Sequence, residues 1–148
     1  MCKLIKKVAL FFSISLCFFN MQCDDDDVVS DDFPCEFSVV VDESKYINMV
    51  SDNFTFIDAE VSSDCLVVEI SASGCDGNSW EFQLVDSGAV AESLPEQRYL
   101  KFQLINTELC SAVFKRTVSF DLAPLQISGS NEITLNLEGL ESAINYKY

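Results

Sequence analysis

Carboxylates and thiols are the side chains of this sequence that could do chemistry. Asp plus Glu number 24 and Cys 7, against 9 Lys plus Arg and no His at all. Without histidine there is no Ser-His or Cys-His nucleophile pair and no imidazole-ligated zinc, iron or copper. The side chain that most readily moves protons near neutral pH is missing as well. An enzyme would have to work with paired carboxylates, which hydrolyse glycosides when two face each other across a cleft, or with a Ser-Lys pair. Glu69 and Glu81 sit on segments whose alternation turns them away from the core. None of Lys45, Lys101, Lys115 and Lys147 carries a flanking motif that selects it, and the five glycines form no G-x-G-x-x-G phosphate loop. No catalytic residue and no cofactor site is therefore assigned, and the chain reads as a non-enzyme.

Calcium is the ion that suits such a composition, since it takes about six to eight oxygens from loops. Asp76-Gly77-Asn78 offers two side-chain oxygens beside a turn, which makes Asp76 and Asn78 the metal candidates. Asp52 with Asn53, and Asp58 with Glu60 and Asp64, are further sets. None matches the EF-hand loop, and the plain alternative is a solvated acidic surface. The formal net charge is −15. No basic patch is available to displace counterions from a phosphate backbone, so nucleic acid is not expected as a partner. A direct polybasic grip on anionic lipid is excluded on the same ground.

The cysteines divide into those of the leader and those of the domain. Lys3, Lys6 and Lys7 precede an uncharged, mostly apolar run at 8–19. Those twelve residues would reach about 18 Å as a helix, well short of a bilayer core of roughly 30 Å. The segment 1–22 therefore reads as a removable export signal. Cys23 follows it, directly before Asp24, Asp25, Asp26 and Asp27. This arrangement resembles a bacterial lipoprotein, which implies removal of the signal peptide and acylation of Cys23, with palmitate among the chains. Cys17 is the alternative modified residue. An acidic run just after the acylated cysteine is similar to small lipoproteins of the Bacteroidota (flavobacterial type). That likeness implies a lipid anchor in the outer membrane and display at the cell surface. Physically, residues 23–34 form an acidic, self-repelling tether that holds the domain off the lipid.

Cys2 and Cys17 leave with the leader, and acylation of Cys23 leaves Cys35, Cys65, Cys75 and Cys110. Four is an even number for an oxidising compartment, so a disulfide framework is expected. Strand parity sorts the four: if each successive strand reverses, Cys35 and Cys65 fall at one pole and Cys75 and Cys110 at the other. The expected bonds are Cys35–Cys65 and Cys75–Cys110.

The elements that must position these residues are strands. Residues 80–84, 100–104, 133–137 and 144–148 alternate apolar with polar, as strands wet on one side do. Residues 37–41, 54–61, 66–70 and 112–122 read as further strands. In the last of these, Arg116 shares a face with Phe114, Val118 and Phe120, so either its head reaches water or a bulge shifts the register. Residues 46–53 read as a loop, 87–97 as a long acidic connection with room for a helical turn, and nothing after the leader has helical periodicity. About eight strands in roughly 115 residues predict one all-β domain over 35–148, a single antiparallel sandwich, with a closed or partly open barrel as the alternative. Trp80, Phe82, Phe102, Phe114 and Phe120 are its expected core. No sorting domain is expected after the last strand.

The stretches SGCDGNSWEF, ELCSAVF and FDLAPLQ, within residues 65–148, are similar to uncharacterised surface lipoproteins of the Bacteroidota, a resemblance that brings no activity with it. The expected function is a lipid-anchored envelope module that binds a protein or glycan, or serves structurally. The alternatives are an envelope hydrolase, a protease inhibitor acting through Glu92-Ser-Leu-Pro-Glu96, and a calcium-stabilised accessory protein.

Overall fold

The computed structural model describes residues 35–148. The expected leader, the expected acylation at Cys23 and the expected acidic tether lie outside the described residues. Among the described residues nine strands run in the order β1 (Phe37–Ser38), β2 (Val40–Val41), β3 (Thr55–Ser62), β4 (Cys65–Gly74), β5 (Glu81–Ala91), β6 (Glu96–Ile105), β7 (Ala112–Asp121), β8 (Glu132–Leu137) and β9 (Ile144–Lys147). They form a four-stranded sheet, β1-β7-β4-β3, and a five-stranded sheet, β2-β5-β6-β8-β9. Neither sheet closes on itself, so the all-β sandwich is observed and the barrel is not. The sequence predicts an antiparallel sandwich, whereas both sheets are mixed: β1 runs parallel to β7, β2 to β5 and β6 to β8. Alternation reports only which face of a strand is dry, and it is silent on the direction of the neighbour.

The inner faces follow the alternation. Leu66, Val68, Ile70 and Ala72 of β4 meet Leu100, Phe102 and Leu104 of β6 and Ile133, Leu135 and Leu137 of β8, all buried. Burying each of the Leu and Ile side chains contributes about 1.5–3 kcal/mol. Trp80, Phe102 and Phe120 are core residues as expected, whereas Phe82 and Phe114 are only partly buried. Phe102 is the hub, with Phe54, Phe56, Phe82 and Phe120 ring centroids at 5.1, 5.8, 6.0 and 5.9 Å.

The stretch 37–41 crosses from one sheet to the other. β1 pairs with β7, buried Val39 passes between the sheets, and β2 pairs with β5. Residues 46–53, expected as loop, partly belong to a short helix, α1 (Glu43–Asn48). Its N-cap is Asp42, whose carboxylate accepts from the Lys45 N–H at 2.9 Å. Six residues without a buried side chain cannot show amphipathic periodicity, which is why the pattern hid it. The connection expected over 87–97 is mostly strand. β5 runs to Ala91 through a bulge between Asp86 and Val90, and β6 starts at Glu96. A 3-10 turn at Ala123–Leu125 leads towards β8.

Candidate functional site

At one end of β4 the turn after Gly74 is held by a single carboxylate. Glu108 Oε2 accepts from the backbone N–H groups of Cys75, Asp76 and Gly77 at 2.5, 3.2 and 3.1 Å, and its Oε1 accepts from the Ser79 hydroxyl at 2.8 Å. Desolvation pushes this carboxyl up, but the Ser79 hydroxyl and the three amides outweigh it and hold the group down at about 2. Arg116 closes the turn from the other side. Its guanidinium donates to the carbonyls of Gly77 and Asp76 at 3.1 and 2.9 Å and to Asn78 Oδ1. The β4/β7 register is unbroken through Arg116, so no bulge is needed; the head is spent on the turn. Gly77 has φ +69, and a Cβ there would lie 3.0 Å from Arg116 Nε. Gly74 is needed for space, since a Cβ would meet the Glu108 carboxylate and lie 2.9 Å from the Trp80 ring.

Asp76 and Asn78, the calcium candidates, are both engaged within this turn. Asp76 Oδ1 already accepts from the Asn78 N–H at 2.9 Å, and the Asn78 oxygen faces a guanidinium where a metal cation would have to sit. The other acidic sets are dispersed as well. Asp52 accepts from the Asn106 N–H at 2.7 Å, Asp58 from the Ala59 N–H at 2.9 Å and Asp64 from the Tyr146 hydroxyl at 2.6 Å. Among the described residues no three His, Cys, Asp or Glu side chains are grouped to hold a metal.

The disulfides clamp the two ends of β4. Cys75 is bonded to Cys110 beside the Gly74–Ala112 pair, with Cα atoms 4.8 Å apart. Cys65 opens β4 and is bonded to Cys35, with Cα atoms 5.7 Å apart. One step of the parity argument fails although its pairs are the observed ones. β1 is parallel to β7 and β7 antiparallel to β4, so β1 and β4 run in opposite directions. The reversal does no harm because β1 is only two residues long and Cys35 stays near the same end.

Two polar features escaped the sequence reading. Asp86 and Arg98 form a buried bidentate ion pair at 3.1 and 2.8 Å, with Asp86 fully buried. Their signal was parity: Asp86 continues the inward series Phe82, Leu84, and Arg98 precedes Leu100, Phe102, Leu104. Tyr146 is fully buried, and its hydroxyl ties Asp64, in the turn between β3 and β4, to Gln126. Burial and the Asp64 carboxylate push that hydroxyl up to about 12.

One surface concavity lies where the two sheets part. A cleft of about 660 Å³ opens between the first half of β3 and the turn at 138–142. Phe54, Phe56, Ala59 and Leu140 form its apolar floor, packed against the core. Exposed Asp58, Glu138 and Glu141 rim it. The floor is firm: Phe54 and Phe56 meet edge to face at 5.0 Å, and a Cβ on Gly139 would lie 3.3 Å from the Phe56 ring. Glu138 is answered by Lys101 at 3.5 Å. Elsewhere, Leu94 stands 98% exposed at the loop 92–95. That loop is braced by Ser93, whose hydroxyl donates to the Pro95 carbonyl at 2.6 Å and accepts from Gln97 at 3.2 Å.

The fold has solved counterparts in the Bacteroidota. A chain described as a NigD-like immunity protein from Bacteroides caccae is similar at TM-score 0.52 and 10% identity, over 74% of this chain and 59% of that one. A protein of unknown function from Bacteroides vulgatus gives TM-score 0.48 at 15% identity, over 74% and 56%. A putative toxin-related protein from Parabacteroides distasonis gives 0.48 at 14%, over 74% and 60%. This chain spans less than two thirds of the length of each, and at such identities the likeness is one of fold. No protein-family model and no curated protein matches the chain.

Proposed function

We propose that this protein is a lipid-anchored module of the bacterial outer membrane, displayed at the cell surface, that works by binding a protein partner and not by catalysis. The observation that carries this reading is how its carboxylates are used. Asp42, Asp52, Asp64, Asp76, Asp86 and Glu108 each accept from an amide, hydroxyl or guanidinium of the chain itself. These six acids are thus engaged in shaping turns and sheets, while a firm cleft and a braced loop remain for contact. A protein partner is favoured over a glycan because the solved chain of like fold is described as an immunity protein.

Two measurements test it. Membrane retention should depend on Cys23, so Cys23→Ser should release the chain and intact mass should show acylation at that residue. Cross-linking on intact cells should yield a discrete adduct of the anchored protein that excess purified Cys23→Ser protein competes away. Retention of the serine variant, or the lack of any competable adduct, contradicts the proposal. Leu94 supports a second reading, a protease inhibitor presenting that side chain; Leu94→Asp should then abolish inhibition of an envelope protease.

A further inference from the structure

We infer that the open edge of β3, at the acid-rimmed cleft, receives an extended basic segment of the partner protein by strand addition. This rests on the binding reading above and gives it an address and a chemistry. β3 pairs with β4 on one side, and among the described residues no strand pairs with its other side. It is eight residues long, where the other edge strands, β1, β2 and β9, have two, two and four. A free edge presents unpaired N–H and C=O groups in a row, which is a template for another strand. Natural edges are blunted by Lys, Pro or a bulge. β3 carries a bulge between Phe56 and Asp58, but TFIDAEVS contains no Lys and no Pro.

The cleft lies along this edge, so a strand added to β3 could set alternate side chains over Phe54, Phe56 and Leu140. Charge then selects the occupant. Lys101 partly answers Glu138, while Asp58 and Glu141 have no ion-pair partner among the described residues. The cleft mouth is anionic on a chain of net charge −15, which repels a second copy and the acidic tether alike. A segment alternating apolar with Lys or Arg fits both floor and rim.

The test uses the full mature chain in detergent micelles, titrated with a Lys-Val alternating peptide as long as β3, eight residues. Saturable binding is expected, with amide shifts confined to β3 and the turn at 138–142. N-methylation of alternate peptide bonds should weaken it about tenfold or more, because the backbone ladder is lost. A Glu-Val peptide should not bind. Asp58→Lys with Glu141→Lys should abolish binding while both disulfides and the melting temperature are kept. Equal binding of the N-methylated peptide, indifference to the charge reversals, or shifts located elsewhere would overturn the inference. If the competable cell-surface adduct persists when the peptide fails, strand addition alone is wrong; if the adduct is absent too, the binding reading falls with it.

Discussion

Glu108 shows how much one side chain can organise when its acceptors meet a row of converging amides. Its carboxyl is held at about 2, against an ordinary value of 4.5. Above pH 4.5 the group is ionised in folded and unfolded chain alike, and its full contribution to stability is present. As pH falls below that value the unfolded carboxylate takes up its proton first, and the contribution drains away until about pH 2. Glu108→Gln should therefore melt below the wild type at neutral pH, and the gap should narrow from about pH 5 to about pH 2. Parallel melting curves across that window would contradict the assignment. Tyr146 predicts the mirror image on the alkaline side: its raised value favours the folded state until pH climbs through 10 towards 12. Tyr146→Phe should cost about 1–3 kcal/mol in urea unfolding, since Asp64 and Gln126 lose their shared partner. Neither role was legible in the sequence. Glu108 sits in an irregular connection where no period applies, and the amides it collects belong to residues about thirty positions away.

Among the elements, β4 is the axis, paired on both sides and tied by a disulfide at each end. Its alternation made Leu66, Val68 and Ile70 readable as an inner face, and the short turns beside it were marked by Gly and Asp. Direction and partner were not readable, because a strand with one dry face looks the same beside a parallel or an antiparallel neighbour. Hence three parallel pairings and the sheet switch at Val39 were missed. Parity still sorted the cysteines, as the Cys75–Cys110 bond follows from the β4/β7 pair alone. Replacing both of those cysteines with Ala should cost about 2–4 kcal/mol. The extension of β5 and β6 brings a sharper expectation. Arg98→Leu strands Asp86 in the core without a cation and should cost about 3–5 kcal/mol, while the double change with Asp86→Leu should recover much of it. A double variant as unstable as the single would contradict the ion-pair reading.

The described domain combines an acidic surface, a disulfide-clamped sandwich and one long open edge that carries a bulge but no Lys or Pro. Asp42, Asp52, Asp58, Asp76, Asp86, Glu108 and Asp121 serve its own backbone, and what it offers outward includes shape: a firm cleft on one flank and a braced apolar loop tip at Leu94. The sequence foretold the sandwich. It concealed the cleft, whose walls come from β3 and from a turn some eighty residues later. The most direct measurement places a photoreactive residue at Ile57, on the open edge, in the full chain expressed in intact cells, with a second at Ser111 as control. Expected is a discrete adduct from position 57 and not from 111, removed by excess Lys-Val peptide. An adduct equal at both positions, or one that the peptide leaves untouched, would contradict binding at the β3 edge.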